Sequence, residues 1–132
     1  MLLALLLVVT ACSSEPRIDP KGNVKLYVSN ESQHVDPVDV AIDIDGHTLV
    51  DDRFEGQEKV TPSFATYTLR LPWGWHTIVA RSSDGKAELS KSFMVIGKRY
   101  IAVTYWYETG DNGTPVPRTF DMRIKWREIY FM

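Results

Sequence analysis

The run Val38-Asp39-Val40-Ala41-Ile42-Asp43-Ile44-Asp45 constrains the fold of this chain more than any other feature. Its large aliphatics recur at every second position. A helix would scatter them around its whole circumference, whereas an extended strand puts them on one face. Asp45-Gly46 follows, a dipeptide that permits positive φ in a tight turn, and His47 to Val50 reads as the returning strand.

The same period continues along the chain. Val24, Leu26 and Val28 alternate with Lys25, Tyr27 and Ser29. Phe64 to Leu71 reads as a strand with Tyr67, Leu69 and Leu71 on one face, and Pro72-Trp73-Gly74-Trp75 reads as a turn. His76 to Ser82 is the next strand, followed by the turn dipeptide Asp84-Gly85. Ala87, Leu89, Phe93 and Val95 carry another. Tyr100 to Tyr107 is rich in aromatic and β-branched residues, as strands are. Thr119 to Phe131 reads as the last strand, with Phe120, Met122, Ile124 and Trp126 facing one way. Asp51 to Ser63 and Glu108 to Arg118 are loops by composition. About eight short strands, turn signals roughly every 8 to 12 residues and no helical period predict an all-β fold, an antiparallel β-sandwich without substantial helix.

The first residues follow a different rule. Met1 to Val9 is a short apolar run, too short as a helix to cross a hydrocarbon core about 30 Å thick. It suits the apolar centre of a secretory signal. Val9-Thr10-Ala11-Cys12 comes next, and Cys12 is the only Cys of the chain. This order resembles the lipobox of bacterial lipoproteins. No Lys or Arg precedes Cys12, a departure from the basic start of such signals. The resemblance implies a signal peptide over residues 1–11, cleavage before Cys12 and a lipid on that Cys. Ser13 in place of Asp implies sorting to the outer membrane. Two or three acyl chains hold a protein on a membrane stably. Ser13 to Asn23, polar with two Pro and a Gly, reads as a tether. The expected organisation is a signal peptide at 1–11, a lipidated tether at 12–23 and a sandwich domain at 24–132.

A second resemblance lies in the domain itself. Leu71-Pro72-Trp73-Gly74-Trp75-His76-Thr77-Ile78-Val79-Ala80, with the Ile44-Asp45-Gly46 turn before it, is similar to the strand-and-turn pattern of small prealbumin-like and PEGA-type sandwich modules. Lys86 stands where those modules usually carry a Tyr. The resemblance implies a binding or spacer unit and carries over no catalytic residue.

The candidate chemistry is sparse. Fifteen Lys and Arg against seventeen Asp and Glu give a net charge of −2, which argues against a nucleic-acid partner. Asp36, Asp39, Asp43, Asp45, Asp51 and Asp52 form an acidic group, but Asp39 and Asp43 lie about 13 Å apart along a strand, too far to share one cation. These carboxylates are expected on a solvated face, set against Arg123, Lys125 and Arg127 of the last strand. His34, His47 and His76 lack ligand spacing, so no metal site is expected. No G-x-S-x-G elbow is present. The chain is expected to be neither an enzyme nor the holder of a cofactor. The sequons at Asn30 and Asn112 read as loop composition.

Aromatic residues supply the remaining candidates. Trp73 and Trp75 flank Gly74 in a predicted turn, and together with His76 and Trp106 they form the expected binding surface, next to the 108–118 loop. Tyr105, Tyr107 and Trp126 share parity with aliphatics and are expected in the core. The expected function is a lipid-anchored, non-catalytic binding or accessory protein of the cell envelope with a protein partner. The alternatives are a carbohydrate-binding module that stacks sugars on Trp73, Trp75 and Trp106, and, more remotely, a small hydrolase.

Overall fold

The computed structural model describes residues 15–31, 37–55, 64–84, 86–106 and 118–129. Nine strands are present: β1 (Arg17–Ile18), β2 (Val24–Asn30), β3 (Val38–Ile44), β4 (His47–Phe54), β5 (Phe64–Arg70), β6 (Gly74–Ser82), β7 (Ala87–Val95), β8 (Arg99–Trp106) and β9 (Thr119–Lys125). They form two packed sheets, in the order β1-β5-β2-β8-β9 and β4-β3-β6-β7. The expected all-β sandwich is present. All neighbours are antiparallel except β2 and β8, which run parallel at the centre of the first sheet, from Val24 opposite Arg99 to Asn30 opposite Tyr105. Between these two strands the chain lays down all of the second sheet, returning once to the first for β5, so β2 and β8 are not joined by a hairpin and can run in the same direction.

Alternation explains the layering. Val24, Leu26 and Val28 of β2, Val40, Ile42 and Ile44 of β3, Ile78 and Ala80 of β6, and Ile101, Val103 and Tyr105 of β8 all point inward and are buried. Each fully buried aliphatic contributes about 1.5–3 kcal/mol relative to exposure. Tyr105 meets Phe120 edge-on, with ring centroids 5.6 Å apart, as its parity predicts. Tyr107 lies outside the described residues.

Two Asn side chains, one half-buried and one fully buried, fasten the ends. At one end Asn23 donates through Nδ2 to Leu71 O and Gly97 O, both at 3.0 Å, and accepts from Leu71 N at 3.0 Å. It thereby ties the connections β5–β6 and β7–β8. At the other end Asn30 donates to Phe54 O at 3.0 Å and bridges the two sheets. Asn30 is fully buried at the end of β2, so it is a structural clasp and not a loop residue.

Several boundaries differ from expectation. Residues 17–23, read as tether, are part of the sandwich: β1 pairs with β5, with Arg17 opposite Arg70 and Ile18 opposite Leu69. Arg70 holds the following turn, donating to Asp19 Oδ2 at 2.8 Å and Lys21 O at 2.7 Å. β4 continues to Phe54 into the charged stretch read as loop, because Asp51, Asp52 and Arg53 are exposed while Phe54 turns inward. β9 ends at Lys125, short of the expected Phe131. The chain beyond it folds back, and Ile129 packs with Tyr27 and Ala102 on the outer face of the first sheet.

Candidate functional site: the Trp73–Trp75 end

The Asp45–Gly46 hairpin and the Trp73–Trp75 segment meet at one end of the sandwich. Asp45 and Gly46 have φ of 52° and 82°, the two positive values that the tight hairpin turn of matching twist requires. Asp45 then reaches β6: its backbone N–H donates to Thr77 O at 2.9 Å, and Oδ1 accepts from Thr77 N at 2.9 Å. Its other oxygen lies 2.6 Å from His76 Nδ1, and His76 Nε2 lies 2.6 Å from Pro72 O. The His76 ring faces inward against Phe93, with centroids 5.8 Å apart.

His76 is therefore a buried pin, only 6% exposed, and not part of an accessible binding surface as expected. Period two explains this. β6 begins at Gly74, so Trp75 and Thr77 face outward and His76 and Ile78 inward. Gly74, at φ 127°, takes a backbone conformation that L side chains rarely adopt. Trp73 and Trp75 on either side are each 70% exposed. Trp75 stands opposite Met94 of β7, and Ile96, just past that strand, is also exposed.

Trp106 does not join them. It is 39% exposed and ends β8, whose first residue, Arg99, lies beside Val24 and Asn23 at the Trp73 end. Eight residues of strand separate the two ends by about 23 Å. The flanks of the 108–118 loop, Trp106 and Arg118, lie at that far end, where Arg118 donates to Asp84 O at 3.1 Å. The loop itself falls outside the described residues. A platform uniting Trp73, Trp75 and Trp106 is thus excluded by the strand register.

Trp126 was expected in the core and is 56% exposed. Its parity is inward, but it lies one residue past the end of β9, where no facing strand covers it. Its ring lies 3.6 Å from the guanidinium of Arg99, a cation–π contact. Arg99 is buried, and its Nε and Nη1 have no hydrogen-bond partner. Beside Trp126 an open hollow of about 450 Å³ is lined by Arg123, Lys125, Arg127, Glu128 and Ile129. Ile96, Arg99 and the exposure of Trp126 were missed in the sequence. The available signal was position at a strand terminus, which alternation alone ignores.

The acidic group does not converge. Asp39 closes the β6–β7 turn, accepting from Ser82 Oγ at 2.9 Å, Ser83 N at 3.0 Å and Asp84 N at 2.8 Å. Burial pushes its carboxyl up, but these hydrogen bonds outweigh burial and hold it below the ordinary range. Asp43 is likewise pushed up by burial, then held low overall by Thr48 and Arg81, both bonded to it. Asp51 and Asp52 are exposed on β4. Arg123 and Lys125 sit on the other sheet, so the expected pairing of the acidic strand with β9 does not occur. Among the described residues no group of His, Cys, Asp and Glu is arranged to hold a metal ion. Cys12, His34 and Asp36 lie outside the described residues.

The chain matches no protein-family model, and no curated protein matches it.

Proposed function

We propose that this chain is a lipid-anchored, non-catalytic protein of the bacterial cell envelope, held at the outer membrane through Cys12, that offers its sandwich to a protein partner. The observation that carries this reading is the Val9-Thr10-Ala11-Cys12 motif directly after an apolar run, with the sole Cys at the processing position. The first strand begins at Arg17, five residues on. The Asp45-Gly46 turn and the Leu71–Ala80 stretch suit a small prealbumin-like module, a class that chiefly binds or spaces. Function on such a scaffold resides in surface residues and not in the fold.

In-cell crosslinking in the native host, followed by purification from membranes and mass spectrometry, tests the reading. Wild-type protein is expected in the membrane fraction with a mature N-terminus at a lipid-bearing Cys12 and one crosslinked protein. Cys12→Ser is expected to lose the anchor and the partner together. An unmodified Cys12 in membrane-purified protein sinks the anchor, and capture of no protein sinks the partner. Glycan stacking on the two exposed indoles Trp73 and Trp75 is the second reading. It predicts a shift in tryptophan emission on adding glycans, removed by Trp75→Ala.

A further inference from the structure

Six large hydrophobic side chains are exposed among the described residues: Ile18, Trp73, Trp75, Ile96, Trp106 and Trp126. The register places five of them at the same end. Ile18 is opposite Leu69, which is opposite Val24. Val24 is beside Arg99, whose side chain lies under Trp126. Trp73 follows Leu71, which Asn23 ties to Gly97, the neighbour of Ile96. Trp75 pairs with Met94 on the same edge. Trp106 alone is at the other end. Scattered exposed apolar residues need no explanation, but five gathered at one end of a small domain do.

This end is also where the chain enters the fold. β1 starts at Arg17, opposite Arg70, the last residue of β5. Four residues lie between Cys12 and Arg17, so the connection spans at most about 18 Å. Lys21, Lys98, Lys125 and Arg127 are exposed here. Of the carboxylates at this end, Asp19 is engaged by Arg70 and Asp45 by His76 and Thr77. Glu15 and Glu128 are the others. Indoles with one apolar side and one N–H, interleaved with cations, suit the boundary between lipid headgroups and acyl chains.

We propose that the Trp73–Trp75–Trp126 end is a second membrane contact, seated in the interface of the bilayer that carries the Cys12 lipid. The occupant is the lipid surface itself. The short connection holds the domain over it, the indoles enter the headgroup region and the basic residues meet anionic lipid phosphates. The domain then stands on the membrane in a set orientation. The opposite end, with Trp106, faces away and is left for a protein partner. This inference rests on the lipid-anchor reading and deepens it.

The test uses the full protein purified from membranes and reconstituted in vesicles of phosphatidylethanolamine and phosphatidylglycerol, with some lipids brominated on the upper acyl chain. Intrinsic tryptophan emission is expected to be quenched. Trp106→Phe is expected to keep the quenching. The triple change Trp73→Phe, Trp75→Phe, Trp126→Phe is expected to abolish it while far-UV circular dichroism stays that of wild type. Mass spectrometry of the same preparation reports the lipid on Cys12, so the two readings fail separately. A lipidated Cys12 with unquenched wild-type emission overturns the membrane contact and leaves the anchor standing. Quenching that survives the triple change overturns it too, as does a glycan or purified protein that shields these indoles in place of lipid.

Discussion

His76 and Asp45, on different strands of the second sheet, are joined by a 2.6 Å contact between Nδ1 and Oδ2, while the far nitrogen of the ring lies 2.6 Å from Pro72 O. One buried ring thus connects the β3–β4 turn to the segment that presents Trp73 and Trp75. His76→Ala removes both contacts and the packing on Phe93, and is expected to lower stability by about 2–4 kcal/mol. Asp45→Asn keeps a residue that tolerates positive φ and an acceptor for Thr77, so its expected cost is below about 1 kcal/mol. Trp75→Ala, two-thirds solvated one residue away, is expected to change stability by no more than about 0.5 kcal/mol. Urea midpoints at unchanged slope measure all three. If Trp75→Ala costs as much as His76→Ala, the division between inner pin and outer ring is wrong.

The same strand shows what was legible before the structure. Alternation identified the strands on either side of it, and the inward set Leu26, Ile42, Ile44, Leu69 and Met122 followed from parity alone. Parity was silent on which end of a strand each residue occupies. Trp73 and Trp106 were therefore grouped although strand β8 separates them, and Trp126 was placed in the core although the sheet ends before it. His76 was grouped with the exposed rings because Pro72-Trp73-Gly74-Trp75 reads as a turn beside it, and its parity with Ile78 and Ala80 was not applied. That parity turns it inward wherever the strand begins. β1 was missed because two residues carry no period, and its pairing with β5 is a long-range fact. The parallel pairing of β2 and β8 was equally out of reach, since local pattern is the same for either direction.

Acid should weaken the β6–β7 turn. Asp39 and Asp43 both lie below their ordinary value of 3.8 in the folded protein. For each, burial raises the value and the hydrogen bonds more than reverse it. A carboxylate depressed by folding stabilises the native state fully above its unfolded value and loses that contribution as pH falls through the folded one. Stability is thus expected to hold down to about pH 4 and to decline below it. Asp39→Asn is expected to start lower at neutral pH and to show a shallower decline. Denaturation midpoints from pH 6 to pH 2 decide this, and parallel curves for the two proteins would remove Asp39 as a contributor.

Gly22 tests whether the residues between β1 and β2 belong to the domain. A Cβ built there lies 2.0 Å from Leu69 O and 2.3 Å from Leu69 C. Both are backbone atoms of β5, so relief requires moving a strand whose Leu69 is fully buried. Gly22→Ala is expected to destabilise by about 1–3 kcal/mol. In a free tether the same change would be neutral. Hydrogen exchange locates the effect: the amides of β5 around Leu69 should lose protection first.

Arg99 presents the opposite case, a buried group whose removal should help. Its guanidinium has two nitrogens without a hydrogen-bond partner, and burial lowers its pKa. Each unmet buried donor costs about 1–3 kcal/mol. The compensating contact is with the half-exposed ring of Trp126, worth about 0.5–1 kcal/mol at such a site. The balance favours an apolar side chain of similar length. Arg99→Met is expected to raise stability by about 1 kcal/mol, read as a higher denaturation midpoint. Trp126→Ala in the wild-type background is expected to cost about 1 kcal/mol, and in the Arg99→Met background less, because the cation it covered is gone. A double-mutant cycle over these two positions measures that difference. A loss of stability in Arg99→Met would mean that the guanidinium is held by more than Trp126.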